Sequence, residues 1–322
     1  MKTTTTAKPN AKAFRVDYPN DWCPGCGDFG ILGAMQQAFA AMALVPHEIA
    51  LVGGIGCSGK AQYYVNCYGV HTLHGRPLPF AAGIKLAKPE LTVVIVGGDG
   101  DGLGIGAGHF VNAGRRNLDL TYILFNNEVY GLTKGQAAPT LEMGLQTKSL
   151  PEPTIQSSID GPSLAHASGF TWIGRGYSYN VRHLTDLVVR AVRHPGLAYL
   201  EVLQPCPTYN DLHDKEWYSQ EENGTSRLWD LQQDGYDALI PQNATQEVHR
   251  ERTQAFAQMV TRWDSRIPVG VMLENLAIST YTDRIAKRVP PYRDAPPARR
   301  TIASATGHPA TDLSGMFSEV AV

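Results

Sequence analysis

No apolar run in the chain reaches the roughly 18 residues that a membrane-spanning helix needs, and the opening stretch, MKTTTTAKPNAKAF, lacks the apolar core of a secretory signal. Net charge is almost missing too. The 28 Lys and Arg stand against 30 Asp and Glu, a formal charge of −2, so nothing in the balance suggests nucleic acid or an anionic membrane as a partner. Cysteine is scarce, with five in 322 residues. Without a secretory signal, these read as reduced thiols or metal ligands in a cytoplasmic protein, not as a disulfide framework. The sequons at Asn223 and Asn243 are accordingly expected to be chance matches. Internal repeats and low-complexity blocks are absent as well, which removes solenoids from consideration.

What is present is an alternation of helical and extended patterns. Helices are expected over 28–44, 77–88 (ended by Pro89), 105–116, 161–170 and 181–194, with strands over 48–56, 91–100, 120–127, 171–176 and 197–205. LTVVIVGGDG is so uniformly apolar that it should be a central strand covered on both faces. Such alternation implies an α/β fold with a mostly parallel sheet and helices on both faces, and ligands at the carboxyl ends of its strands. Residues 1–20 read as a flexible or partner-wrapping arm and 21–215 as the binding domain. Residues 216–322 read as an irregular C-terminal extension that contacts another subunit. Within the extension, 246–263 has an amphipathic helical period, and the last 60 or so residues, rich in proline, read as an extended tail.

Two constellations carry chemistry. The first is thiol-based. Cys23-Pro24-Gly25-Cys26 is a CxxC turn that could hold a cluster edge, half a zinc site or a redox pair, although no strand precedes it as a redox pair would require. Gly25 and Gly27 leave amides free to face sulfur. Cys57 lies in the glycine loop GIGCSG and Cys206 in QPCPTYN, each just past an expected strand. Four cysteines from three strand-end loops suit a 4Fe–4S cube, with structural zinc as the rival. Cys67, in YYVNCYGV, reads as a small buried hydrophobe.

The second constellation is oxygen-based. Gly98-Asp99-Gly100-Asp101 follows one expected strand and Asn126-Asn127 ends the next, with Asp99 and Asn127 separated by 28 residues. One helix and one strand fit that interval, so both side chains should sit on neighbouring strand ends. A carboxylate and an amide oxygen there can hold a hard cation that bridges two phosphates, while loop amides and a helix N-terminus bind the phosphate oxygens. Gly102, Gly104 and Ala107 also spell GxGxxA, a weak dinucleotide pattern.

Taken together, WCPGCGDFGIL, GIGCSGK, HGRPLPFAAGIKLA, VGGDGDG, FNNEVYGLTKGQ and QPCPTYN resemble the β subunits of the 2-oxoacid:ferredoxin oxidoreductases. The resemblance implies a thiamine-diphosphate-binding fold in which Cys23, Cys26, Cys57 and Cys206 ligate one 4Fe–4S cluster. Asp99 and Asn127 would bind Mg2+ by side chain and Val129 by its carbonyl. Gly56, Cys57, Ser58, His74, Gly98, Gly100, Asp101, Gly131, Leu132 and Thr133 would contact the thiamine cofactor, with Ser58 and His74 near the reacting carbon. Lys60 would face the substrate pocket, where a cation suits the dicarboxylate 2-oxoglutarate. The implied reaction is oxidative decarboxylation of a 2-oxoacid with coenzyme A, or its reversal, with pyruvate as the alternative substrate. No CxxCxxCxxxCP module is present, so electrons must pass to an external ferredoxin. The residue that activates the thiamine ring cannot be assigned here, which implies an α-subunit partner in an αβ or (αβ)2 assembly. Three rival readings are a non-redox thiamine decarboxylase with zinc, a non-catalytic electron-transfer protein and a nicotinamide dehydrogenase.

Overall fold

Val93, Val94, Ile95 and Val96 point alternately to the two faces of one strand, and all are buried. That is the pattern expected of a strand with helices on both sides. The computed structural model describes residues 10–17, 19–222, 224–260, 266–312 and 314–320. Its main sheet is built from β1 (Ile49–Gly53), β2 (Tyr68–His71), β3 (Thr92–Gly98), β4 (Leu120–Asn126), β5 (Trp172–Tyr177), β6 (Leu197–Leu203), β7 (Leu228–Asp230), β8 (Leu239–Ile240) and β9 (Ile267–Asn275). The strand order is β7-β9-β5-β6-β4-β3-β1-β2, with β8 also on β9. Every pairing is parallel except that of β9 with β5.

The register Val94↔Thr121 to Gly98↔Phe125 brings the ends of β3 and β4 side by side. Helices α1 (Asp28–Ala41) and α5 (Val181–Arg193) cover one face, and α2 (Pro77–Ala87), α3 (Ala107–Arg116), α4 (Gly161–Ser168) and α6 (Gln246–Val260) the other. On α5 the buried residues Leu184, Leu187, Val188 and Ala191 recur at helical spacing, and Asn180 caps the first turn by accepting from the His183 amide at 3.3 Å.

The structure differs from the sequence reading at both ends. In the expected arm, residues 1–9 and 18 lie outside the described residues. Residues 11–14 dock on the chain itself, with Phe14 fully buried against the Phe39 ring. The extension is not irregular throughout. Residues 267–275, expected within an extended tail, form the fully integrated strand β9, and residues 261–263 of the expected helix lie outside the described residues. Among the described residues, no helix is long and apolar enough to cross a membrane.

Helix α1 approaches the sheet edge so closely that a Cβ on Gly30 would lie 1.9 Å from the Ser178 carbonyl oxygen, while one on Gly33 would meet nothing nearer than 4.0 Å. Gly30→Ala is therefore expected to destabilise the protein by about 1–3 kcal/mol through overpacking. Gly33→Ala, with its better helix propensity, should be neutral or stabilising by up to about 1 kcal/mol. Thermal unfolding of the two variants side by side checks this.

Candidate active site

The strand ends place the loops. After β3 the chain does not enter a helix directly but makes a wide π-type turn over Gly100–Ile105, a distortion that recurs at functional sites. Asp99 opens that turn and is 2 % exposed. Its Oδ1 accepts from the Gly100 amide at 3.0 Å, and its Oδ2 accepts from the Glu128 amide at 2.9 Å and the Thr140 hydroxyl at 2.5 Å. Burial pushes its carboxyl up to about 7, against the opposing pull of the Thr140 and Gly100 hydrogen bonds. A buried acid held in this way fits a cation that has yet to be supplied.

Across from it, Asn127 Oδ1 accepts from the Val129 amide at 3.1 Å. The intervening Glu128 takes a left-handed conformation, φ +65, which is unfavourable for a side chain with a Cβ. Its carboxylate is held by His213 Nδ1 at 2.5 Å and Asn210 Nδ2 at 3.0 Å.

Asp101 is a clamp. Its Oδ1 accepts from the amides of Ile55 at 2.9 Å and Gly75 at 2.8 Å, and from His74 Nδ1 at 2.8 Å. The carboxylate therefore fixes the His74 tautomer with hydrogen on Nδ1 and leaves Nε2 for a ligand. Ser58 is buried, and its Oγ would lie 3.3 Å from a Cβ at Gly98. Every residue expected at the cofactor, from Gly56 to Thr133, lines one cavity, and Ile55, Phe125 and Tyr130 line it as well.

The thiol segments converge on the same wall. A Cβ at Gly131, which lines the cavity, would lie 3.7 Å from the Cys57 sulfur and 3.8 Å from that of Cys206. The Cys23–Cys26 turn is tied to the Cys206 segment by the Gly27 amide, which donates to the Pro205 carbonyl at 3.2 Å. Burial pushes the Cys57 thiol up to about 12, and it also raises Cys26 and Cys206. Asp28 adds to each shift, and the cysteines act on one another: Cys57 on Cys26, Cys23 on Cys57 and Cys206 on both. These thiols are costly to ionise until a cation arrives.

Among the described residues, no three or more His, Cys, Asp and Glu gather closely enough to hold one metal ion. Four cysteines from three segments, two of them with sulfurs against Gly131, form a soft donor set of the kind an iron–sulfur cube takes. The oxygen set, one carboxylate plus amide and carbonyl oxygens, would need the phosphate oxygens of a bound cofactor to complete the shell of a hard cation.

One expected residue lies elsewhere. Lys60, expected in the substrate pocket, does not line the cavity; its ammonium is paired with Asp21 at 2.7 Å. It follows Ser58 by two positions on the 3-10 helix Ser58–Tyr63, which has three residues per turn, so when Ser58 faces in, Lys60 faces aside. Cys67, expected as a buried hydrophobe, is half-buried and packs at the edge of the apolar core. One residue not foreseen is Asp28, 1 % exposed, whose carboxylate oxygens have no conventional donor; burial pushes it up to about 7, offset by Cys26 and Lys60. The GDFG stretch looks like a helix start, and only the folded neighbours reveal its cost.

Comparisons with known proteins agree with this geometry. Residues 54–202 match the family model described as "Thiamine pyrophosphate enzyme, C-terminal TPP binding domain", and residues 206–288 match the model of the C-terminal part of the pyruvate ferredoxin oxidoreductase β subunit. The chain is 50% identical over 303 residues to the 2-oxoacid:ferredoxin oxidoreductase subunit beta of Saccharolobus solfataricus, covering 93% of this chain and 96% of that one. It is 40% identical over 225 residues to the 2-oxoglutarate synthase subunit KorB of Archaeoglobus fulgidus, covering 66% and 84%. Among solved structures, it is similar to the 2-oxoglutarate:ferredoxin oxidoreductase from Magnetococcus marinus with 2-oxoglutarate, coenzyme A and succinyl-CoA bound. The TM-score is 0.78 at 27% identity, covering 99% of this chain and 98% of that one.

Proposed function

The chain belongs to the β subunits of the 2-oxoacid:ferredoxin oxidoreductases, and from that premise we propose that one wall of its cavity holds both Mg2+–thiamine diphosphate and a 4Fe–4S cluster. It is one half of a thiamine-dependent oxidoreductase, which an α subunit makes whole. The observation that carries the proposal is Gly131, which lines the cofactor cavity and has the Cys57 and Cys206 sulfurs against its backbone. Thiamine diphosphate, when bound, supplies the carbon nucleophile and electron sink for decarboxylation, and the cluster supplies the one-electron acceptor.

The protein residues do the positioning. Asp99 and Asn127, with the Val129 carbonyl, hold the cation and through it the diphosphate. Asp101 orients His74 so that Nε2 is presented to the substrate, and Ser58 closes the floor beside Gly98. Cys23, Cys26, Cys57 and Cys206 hold the cluster, and electrons leave to an external ferredoxin. The balanced reaction converts a 2-oxoacid, coenzyme A and two oxidised one-electron ferredoxins into acyl-CoA, CO2, a proton and two reduced ferredoxins. The assembly is a cytoplasmic αβ unit or its dimer, with residues 216–322 contributing to the interface.

The 2-oxoacid proposed is 2-oxoglutarate. Support comes from relatives named for it; Lys60 lies outside the cavity, and a role in binding requires it to leave Asp21, which is 61% exposed against 24% for Lys60. Such an exposed pair is weak, so a substrate carboxylate can take its place. In the assembled enzyme, 2-oxoglutarate should drive coenzyme A-dependent reduction of a low-potential viologen dye. Lys60→Ala should lower kcat/KM for 2-oxoglutarate by about tenfold or more relative to pyruvate, the loss of one charge-assisted hydrogen bond. Equal losses on both acids would remove Lys60 from substrate recognition, and no dye reduction with any 2-oxoacid would remove the proposed activity.

A further inference from the structure

We propose that Gln204 is a positioning residue whose single amide links the two metal sites, fixing which atom Asn127 offers to the cation and donating a hydrogen bond to the cluster ligand Cys26. The inference rests on the assignment of Mg2+ to Asn127 and of the cluster to Cys26.

Gln204 follows β6 and is 1% exposed. Its Nε2 donates to the Pro205 carbonyl at 2.9 Å and to the Cys26 sulfur at 3.3 Å, and its Oε1 accepts from Asn127 Nδ2 at 2.7 Å. A backbone carbonyl can only accept, so Pro205 dictates that the nitrogen of Gln204 lies on its side. The oxygen must then face Asn127, and only the Asn127 nitrogen can answer it. Asn127 Oδ1, the one atom of that amide able to bind a cation, is left on the Val129 side. The polarity of a backbone carbonyl beside one centre thus sets the ligand atom presented at the other. Gly27 makes the approach possible, since a Cβ there would lie 2.9 Å from Gln204 Cγ.

The same amide acts on the cluster. A donor at a ligating sulfur stabilises the added negative charge of the reduced state and so raises the potential. Gln204 therefore makes the cluster a better acceptor for electrons generated on the other side of Asn127.

Two variants of the assembled enzyme separate the two roles. Gln204→Leu removes both bonds. Its Mg2+ dissociation constant, read by fluorescence titration with thiamine diphosphate present, should rise about 10–100-fold, and the cluster midpoint potential should become more negative. Gln204→Glu, measured at alkaline pH where the new carboxyl is ionised, keeps an acceptor for Asn127 and loses the sulfur donor. Mg2+ affinity should stay near that of the wild type while the potential falls. A wild-type potential in Gln204→Glu overturns the sulfur bond, and wild-type Mg2+ affinity in Gln204→Leu overturns the orientation of Asn127. If Gln204→Leu fails to fold, Gln204→Met, which removes both bonds without adding charge, takes its place: weaker Mg2+ binding with a lower potential supports the link, and wild-type values of either overturn the corresponding bond. A wild-type enzyme without iron or without a Mg2+ requirement would instead remove the assignment of the centres, a different failure.

Discussion

Replacing Asp99 with alanine in the assembled enzyme should leave the protein coloured but without thiamine. Turnover on every 2-oxoacid should fall by about a thousandfold or more, since both the cation and the charge stabilisation it provides are lost. The effect is large because Asp99 has two tasks at once. It is a buried carboxylate that lines the cavity together with Asn127, and it also holds the Glu128 amide and the Thr140 hydroxyl. Without it, the left-handed turn at Glu128 loses one of the contacts that offset its strain. Asp99→Asn keeps the size but brings an NH2 group against an amide donor and removes the charge, so it should retain little more. Thiamine content after gel filtration, measured beside iron content, separates cofactor loss from unfolding. Bound thiamine with unchanged turnover in Asp99→Ala would take Asp99 out of the site.

Cys206→Ala should produce the reverse phenotype, with thiamine retained, visible iron–sulfur absorbance lost, and dye-linked turnover reduced by about a thousandfold or more, because the sequence carries no second cluster motif to take the electrons. Cys206 is the most structurally supported of the four thiols. Burial raises its pKa, but the amides of Tyr209, Thr208 and Asn210 all favour its ionised form. Those amides are ready to hold a thiolate once iron supplies the compensating charge. The Cys67→Ala control removes a thiol that packs in the core edge and should keep both absorbance and turnover. Full iron content in Cys206→Ala would move the cluster elsewhere.

Much of this architecture is legible along the chain because it depends on local pattern. β3 announces itself as an unbroken apolar run, and the interval between Asp99 and Asn127 matches one helix and one strand, so their juxtaposition follows from the parallel register alone. Less local features are hidden. The edge strand Tyr68–His71 is largely exposed, so it carries no burial pattern. β9 contains Pro268 and Gly270 in a proline-rich tail, and its antiparallel place beside β5 depends on a partner far away in sequence. Lys60 reads as a pocket residue until the tight turn at Ser58 rotates it toward Asp21. Gln204 is one glutamine near a cysteine, and its role exists only once Asn127, Pro205 and Cys26 surround it. Asp28 is hidden in the same way, because a carboxylate in the first turn of a helix is ordinarily a stabilising and solvated group.

The central claim is that the thiamine site and the iron–sulfur site form one electron-transfer unit on a shared wall. It is tested most directly by adding 2-oxoglutarate to the anaerobic wild-type complex, with no external acceptor, and following the visible absorbance of the cluster. The account expects bleaching in wild type and none in Asp99→Ala with its cluster intact. A wild-type complex shown to hold both thiamine and iron, yet unbleached by any 2-oxoacid, would contradict it.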